Sequence, residues 1–299
     1  MYNAFFGLKQ NPFSLSPDPS FLYRSVQHEE ALANLIYGVQ SHKGFLVLSG
    51  EVGTGKSTLL ECLRNFLSAQ NVEYAYIFNS RLTVDQFFEM LAQEFGLECN
   101  HNSKTSVLFA LNEFLIDRRE LGLTTALIID EAQNLDWEVL EEIRLLGNLE
   151  TPRGKLLQMV LAGQPELDRK LDAPDYRQLK QRIALRCTLF PFEEPETSAY
   201  IHCRLARAGM DEQNVFTPDL IAEIHYRTQG IPRIINAVCD NLLLTAFASE
   251  SKVVTLEYLD EVSTDLRLDW PGRRPFRSQD EFADSSTPRR QPQYSSRSK

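Results

Sequence analysis

No apolar run in the 299-residue chain approaches the ~20 residues that a membrane-spanning helix requires. The opening Met1-Tyr2-Asn3-Ala4-Phe5-Phe6 places no basic region ahead of an apolar stretch, so no secretory leader is read there. Cysteine is sparse. Cys62, Cys99, Cys187, Cys203 and Cys239 are odd in number, scattered and without C-x-x-C spacing. They argue against a disulfide framework or a zinc site and for a reducing compartment, and the five histidines also lack ligand spacing. Positive charge is short as well, the formal net charge being −10. Beyond Pro271, seven Lys/Arg against three Asp/Glu make a basic tail of +4, which leaves −14 on the body. So acidic a body disfavours a broad non-specific grip on nucleic acid, although a local basic rim inside an assembly is compatible with it. What remains, 43% hydrophobic and 24% charged, describes a globular protein of the cytosol with room for one large domain and a smaller one.

Against these absences stands Gly50-Glu51-Val52-Gly53-Thr54-Gly55-Lys56-Ser57, which fits the phosphate-loop pattern G-x-x-x-x-G-K-[ST]. An apolar run over 44–49 reads as the strand feeding the loop, and Thr58 opens the helix leaving it, read over 58–67. Glycines let successive backbone N–H groups turn inward around phosphates, at a helix N-terminus whose dipole favours an anion. Lys56 then reaches the β- and γ-phosphates and the Ser57 hydroxyl becomes a Mg²⁺ ligand.

A second apolar run, 125–129, ends in the adjacent carboxylates Asp130 and Glu131. An aspartate at such a strand end holds Mg²⁺ from the side opposite Ser57. Strand alternation turns Glu131 the other way, where it polarises a water in line with the γ-phosphate. The plainer alternative, an acidic cap for a helix starting near Asp136, accounts for one carboxylate and not for both. No Asn-Lys-x-Asp guanine-specificity run occurs, which favours ATP over GTP.

The rest of the chain divides by pattern. Residues 1–43 form an aromatic, Pro-rich N-terminal clamp and a first helix over 28–40; each aromatic is read first as packed on the core, and a cover for the adenine ring by Phe13 or Tyr23 is the alternative. Residues 44–191 alternate strands (44–49, 73–78, 125–129, 156–162) with helices (58–67, 84–95, 105–119, 135–149). That alternation predicts an α/β fold of three layers around a parallel sheet, with the nucleotide at the strand C-termini. Residues 192–268 read as a helical domain of four helices, 195–209, 217–228, 232–249 and 255–266, with Thr217-Pro218 as a helix start. The segment 269–299, rich in Arg, Ser, Pro and Gln, reads as a disordered basic tail.

Together these features resemble an AAA+ ATPase of the ASCE class of P-loop NTPases with a C-terminal helical lid. Phe5-Phe6-Gly7-Leu8, Pro12-Phe13, Pro17-Asp18-Pro19, Phe21-Leu22-Tyr23, Tyr37-Gly38 and Gly163-Gln164-Pro165-Glu166-Leu167 narrow the likeness. They resemble the ATPase portion of the general secretion pathway protein A, or ExeA-type, family over residues 1–268. In that family the ATPase precedes a membrane span and a peptidoglycan-binding domain and assists assembly of an outer-membrane secretion pore. The resemblance implies ATP hydrolysis with Mg²⁺, a homo-oligomer, and a secretion or envelope partner holding the protein peripherally at the inner membrane. Stand-alone relatives accompany exosortase and exopolysaccharide loci, and transposition ATPases that select target DNA form a further class. The resemblance also assigns Arg233, in Gly230-Ile231-Pro232-Arg233, to sensor 2 and Gln164 to sensor 1. Arg182 becomes the arginine finger acting in trans, with Arg186 as its rival, and Asn79 a residue that restrains Glu131.

Overall fold

A computed structural model describes residues 2–78, 81–152, 154–210 and 215–268. Asn79 and the basic tail lie outside the described residues. The chain opens with a short helix α1 (Tyr2–Phe6) and, after a 3-10 turn at Pro19–Phe21, continues into α2 (Val26–Gln40). Then follow β1 (Phe45–Gly50), α3 (Lys56–Ala69), β2 (Glu73–Ile77), α4 (Val84–Glu94), α5 (Lys104–Glu120) and β3 (Thr125–Ile129). Helix α6 (Trp137–Leu146) leads to a small antiparallel ladder of β4 (Glu150–Thr151) and β5 (Gly154–Lys155). Strand β6 (Leu157–Gly163), helices α7 (Pro165–Asp172) and α8 (Arg177–Lys180), and strand β7 (Ile183–Leu189) complete this part. The C-terminal helices are α9 (Glu194–Arg207), α10 (Pro218–Thr228), α11 (Pro232–Ala248) and α12 (Leu256–Asp265).

The five main strands are all parallel, in the order β2-β3-β6-β1-β7. Strand β6 is thus inserted between the strand that feeds the phosphate loop and the strand that ends at Asp130. Every residue of β1, β3 and β6 is buried, as expected where both faces of a parallel sheet are covered. Alternate residues serve the two faces. Leu46, Leu48, Ala126, Ile128, Val160 and Ala162 pack with Leu35, Val39, Leu59, Leu60 and Leu63 of α2 and α3. Phe45, Val47, Leu127, Ile129, Met159 and Leu161 pack with Phe87, Leu111, Val139 and Leu167 of α4 to α7. All C-terminal strand ends therefore reach the same edge of the sheet, bringing Gly50, Asp130 and Gln164 side by side.

Helix starts follow local chemistry. Thr83 and Gln86 form a reciprocal capping box at α4, and Ser25, Ser103, Thr217 and Thr255 each accept from a first-turn N–H. The aromatic N-terminal stretch joins the C-terminal helices instead of the sheet. Tyr2, Phe6, Leu8, Phe13 and Phe21 share one core with Ile201, Leu242 and Leu259. Residues 1–268 form one compact unit.

Strand β7 is absent from the sequence reading, as are α1, α7, α8 and the β4–β5 ladder. Only Cys187 and Leu189 of the seven β7 residues are buried, because it is an edge strand with one open side, so its apolar signal is weak. Helix α6 is shorter than expected. Asp130 and a 3-10 turn at Ala132–Asn134 carry the chain past the strand end, and Leu135 is extended.

Candidate functional site

A cavity of about 500 Å³ opens at this strand edge, between the phosphate loop, the N-terminal segment and the C-terminal helices. Val52, Gly53, Thr54, Gly55, Lys56, Ser57 and Thr58 line it, with Glu131 and Arg233. Gly50 and Glu51 do not line it, but their carbonyls accept from Lys56 Nζ at 2.6 and 2.9 Å. The loop is braced internally, Thr54 Oγ1 donating to the Glu51 carbonyl at 2.9 Å. Burial pushes the Lys56 ammonium below its usual pKa, and the carboxylates of Glu131, Asp130 and Glu51 oppose that shift. A buried cation with only carbonyls and distant carboxylates around it is a strong attractor for phosphate oxygens.

Asp130 sits one residue past β3. Its carboxylate accepts from Ser57 Oγ at 3.3 Å, from the Tyr76 hydroxyl at 3.2 Å and from the Glu131 backbone N–H at 2.8 Å. Burial raises its pKa, and the Glu131 N–H contact partly offsets that rise. Burial and the Asp130 carboxylate together push the Tyr76 phenol up, so it stays a donor. A hydroxyl and a carboxylate oxygen this close form a hard-oxygen pair that suits Mg²⁺.

Glu131 reaches the cavity by a route different from the expected one. The strand ends at Ile129, so side-chain alternation does not apply. Instead Glu131 adopts a left-handed backbone, φ 52° and ψ 35°, and lines the cavity while Asp130 does not. Such a conformation costs a non-glycine residue roughly 1–2 kcal/mol, a strain characteristic of functional positions. Glu131 Oε2 accepts from Gln164 Nε2 at 3.1 Å and from Gln133 Nε2, while Gln133 Oε1 accepts from the Gln164 backbone N–H at 3.1 Å. The two glutamines thus hold one carboxylate oxygen between them.

Arg233 opens α11 and its backbone N–H donates to the Gly53 carbonyl at 3.2 Å. A side chain at Gly53 has no room. Its φ is +83°, and a Cβ there would stand 2.8 Å from Arg233 Cβ and 3.0 Å from Ile231 Cγ2. The Arg233 guanidinium makes no hydrogen bond or ion pair among the described residues and stays exposed at the cavity.

Other expected positions fall elsewhere. Arg182 precedes β7 at the sheet edge opposite the phosphate loop, where it donates to the Arg144 carbonyl at 2.8 Å. Arg186 pairs with Asp168 at 2.9 Å and with Asp172. Neither lines the cavity. Phe13 does not cover it either, being fully buried edge-on to Phe216, because the helical core takes the ring first. Tyr23 does line the cavity, edge-on to Phe192 and Tyr200. Around the phosphate end, His28, Tyr76 and Gln133 escaped the sequence reading. Only Gln133 carried a signal, as the polar residue two places after Glu131 in Asp-Glu-Ala-Gln.

The AAA domain family profile matches residues 39–171. General secretion pathway protein A of Aeromonas hydrophila is 45% identical over 252 residues, which cover 84% of this chain and 46% of that protein. The chain spans about half the length of this relative. Among solved structures, Cdc6p from Pyrobaculum aerophilum is 20% identical with a TM-score of 0.66, covering 85% of this chain and 70% of that one. The ORC2 protein of Aeropyrum pernix is 16% identical with a TM-score of 0.65 and coverages of 86% and 72%. The Thermotoga maritima RuvB branch migration motor is 16% identical with a TM-score of 0.55 and coverages of 81% and 70%. At these identities the structural likenesses bear on fold alone.

Proposed function

The chain belongs to the AAA ATPases, as the ATPase portion of the general secretion pathway protein A family, and from that premise we propose that it hydrolyses ATP with Mg²⁺. The energy drives conformational work on a cell-envelope secretion or export assembly. One observation carries the reading: Lys56, Ser57, Asp130 and Glu131 meet at one strand edge, beside a cavity large enough for a nucleotide.

In this mechanism the loop N–H groups from Gly53 to Thr58 and the Lys56 ammonium bind the phosphates. Ser57 Oγ and the Asp130 carboxylate would hold Mg²⁺, which would supply positive charge to offset the negative charge developing on the transferring phosphoryl group. Tyr76 keeps Asp130 in place by donating to its carboxylate. Glu131 accepts the proton of the attacking water, and the Gln164 and Gln133 amides set the direction of its carboxylate. Arg233 reaches the γ-phosphate, and the Gly53–Arg233 backbone bond couples the C-terminal helices to the phosphate loop. Arg182 acts on a neighbouring subunit, which makes the working form a homo-oligomer. The protein works at the cytoplasmic face, held to the inner membrane by a partner; among the described residues no helix is long and apolar enough to cross a membrane.

The test is steady-state ATP turnover across protein concentration, with and without duplex DNA, for wild type and Glu131→Gln. Turnover per subunit is expected to rise with concentration, to ignore DNA, and to fall roughly 100-fold or more in the variant. Unchanged turnover in Glu131→Gln removes the general base. DNA stimulation with steep salt dependence replaces the envelope reading with target selection on DNA. Slow turnover, unaffected by the substitution, replaces it with a nucleotide-gated scaffold.

A further inference from the structure

The cavity wall away from the phosphate loop carries a polar chain that the phosphate chemistry leaves unused. Arg204, on α9, is only 6% exposed, and its guanidinium lies 4.9 Å from the Phe21 ring centroid and 5.5 Å from that of Tyr200. Its Nε donates to the Pro12 carbonyl, and its Nη1 donates to the Tyr200 hydroxyl at 2.8 Å. That hydroxyl in turn stands 2.8 Å from Asn236 Oδ1.

Direction along this chain is forced. A guanidinium only donates, so the Tyr200 oxygen accepts from Arg204 and its single proton points at Asn236. An amide nitrogen cannot take that proton. The Asn236 carboxamide therefore keeps its oxygen on Tyr200 and turns its NH₂ the other way. Asn236 is 7% exposed and lines the cavity, and its NH₂ has no partner among the described residues. A nearly buried donor, held in one orientation and left open to the cavity, is a recognition element waiting for an acceptor.

Its position selects the acceptor. Arg233 and Asn236 are three residues apart on α11 and share a face. Arg233 marks the phosphate end through its bond to Gly53. Asn236 lies a turn further on, beside Tyr200, Arg204 and Phe21. A triphosphate anchored at Lys56 and Ser57 leaves that end for the nucleoside. We propose that Asn236, oriented by Tyr200 and Arg204, reads the nucleobase by donating from Nδ2 to N1 of adenine. Adenine offers an acceptor at N1 where guanine carries N1–H, so the same donor selects adenine over guanine. The assignment rests on the nucleotide-binding reading above.

The experiment measures equilibrium binding of ATP, GTP and inorganic tripolyphosphate to the full chain and to Asn236→Asp, Asn236→Ala, Tyr200→Phe and Lys56→Ala. Thermal unfolding of each variant checks its fold. Asn236→Asp keeps an acceptor for Tyr200 and replaces the donor by a second acceptor. It should weaken ATP at least tenfold, weaken GTP less or strengthen it, and leave tripolyphosphate unchanged. Asn236→Ala and Tyr200→Phe should each lower the ATP-to-GTP affinity ratio by a smaller factor, the latter because the amide is free to turn. An unchanged ratio in both Asn236 variants overturns the proposal, as does tripolyphosphate weakening in step with ATP. If Lys56→Ala weakens all three ligands while the ATP-to-GTP ratio is unchanged in the Asn236 variants, base reading alone falls. If Lys56→Ala changes nothing, the nucleotide-binding reading falls with it.

Discussion

His28 packs against the phosphate loop with its tautomer dictated by its neighbours. Nε2 faces the Thr54 carbonyl at 3.0 Å and must carry the proton, so Nδ1 accepts from the Ser25 hydroxyl at 2.8 Å. Burial pushes its pKa below the usual imidazole range, although the Thr54 carbonyl and Glu196 pull the other way. The unfolded chain takes up this proton near pH ~6.5 and the folded protein only at lower pH. The unfolded state thus binds more protons in that window, and stability is lost as pH falls through it. His28→Gln keeps a donor for Thr54 without titrating. It should melt lower than wild type at pH 8 yet lose less in melting temperature between pH 8 and pH 5; parallel curves for the two proteins would exclude the linkage. At this scale the motif residues Lys56, Ser57, Asp130 and Glu131 were legible because the phosphate loop and the strand-end pair are written in contiguous sequence. His28, Tyr76 and Asn236 were not, since His28 reaches Thr54, Tyr76 reaches Asp130 and Asn236 reaches Tyr200 across a fold that no local spacing announces.

Between α10 and α11, Gly230 has φ +70°, and a Cβ there would stand 2.0 Å from the Phe192 carbonyl oxygen. The Phe192 N–H also donates to the Gly230 carbonyl at 2.8 Å, so the backbone on both sides is committed. Gly230→Ala should cost about 2 kcal/mol or more in urea unfolding and weaken nucleotide binding by shifting the start of α11 away from Gly53. An unaltered midpoint would show that this turn relaxes freely. The fully buried central strands were the most legible. Strands β1, β3 and β6 are apolar on both faces and came within a residue at each end, whereas the edge strand β7 alternates and went unseen. Its pairing with β1 sets the end of the sheet to which Arg182 and Arg186 belong.

At the scale of the whole molecule, β7 separates Arg182 from the phosphate loop. Leu189 pairs with Gly50 at one end of the strand and Ile183 with Phe45 at the other, and a seven-residue strand spans about 20 Å. Arg182 does not line the cavity of its own chain, which suits a role across a subunit boundary. Arg182→Ala and Glu131→Gln should each be inactive alone, and mixing them should restore part of the turnover, because a site with Glu131 intact can border a subunit with Arg182 intact. A mixture as inactive as its components would remove Arg182 from the neighbouring site.

Sequence by itself determined the chemistry that a few neighbouring residues can encode. The glycine-rich turn and the carboxylates at a strand end are local, and the periodicities that raise a covered parallel sheet and a set of helices span only a dozen residues. Composition likewise dictated that the aromatic N-terminus be buried, since leaving it in water forfeits too much apolar burial. Only the tertiary structure decided where. Phe13 and Phe21 join the core of α9 to α12, Arg204 reaches back to Pro12, and the segment from Ser14 to Tyr23 becomes a wall of the cavity. The reason is physical: hydrophobic burial is non-directional and names no partner, so the pairing of distant segments waits for the topology that brings them within contact.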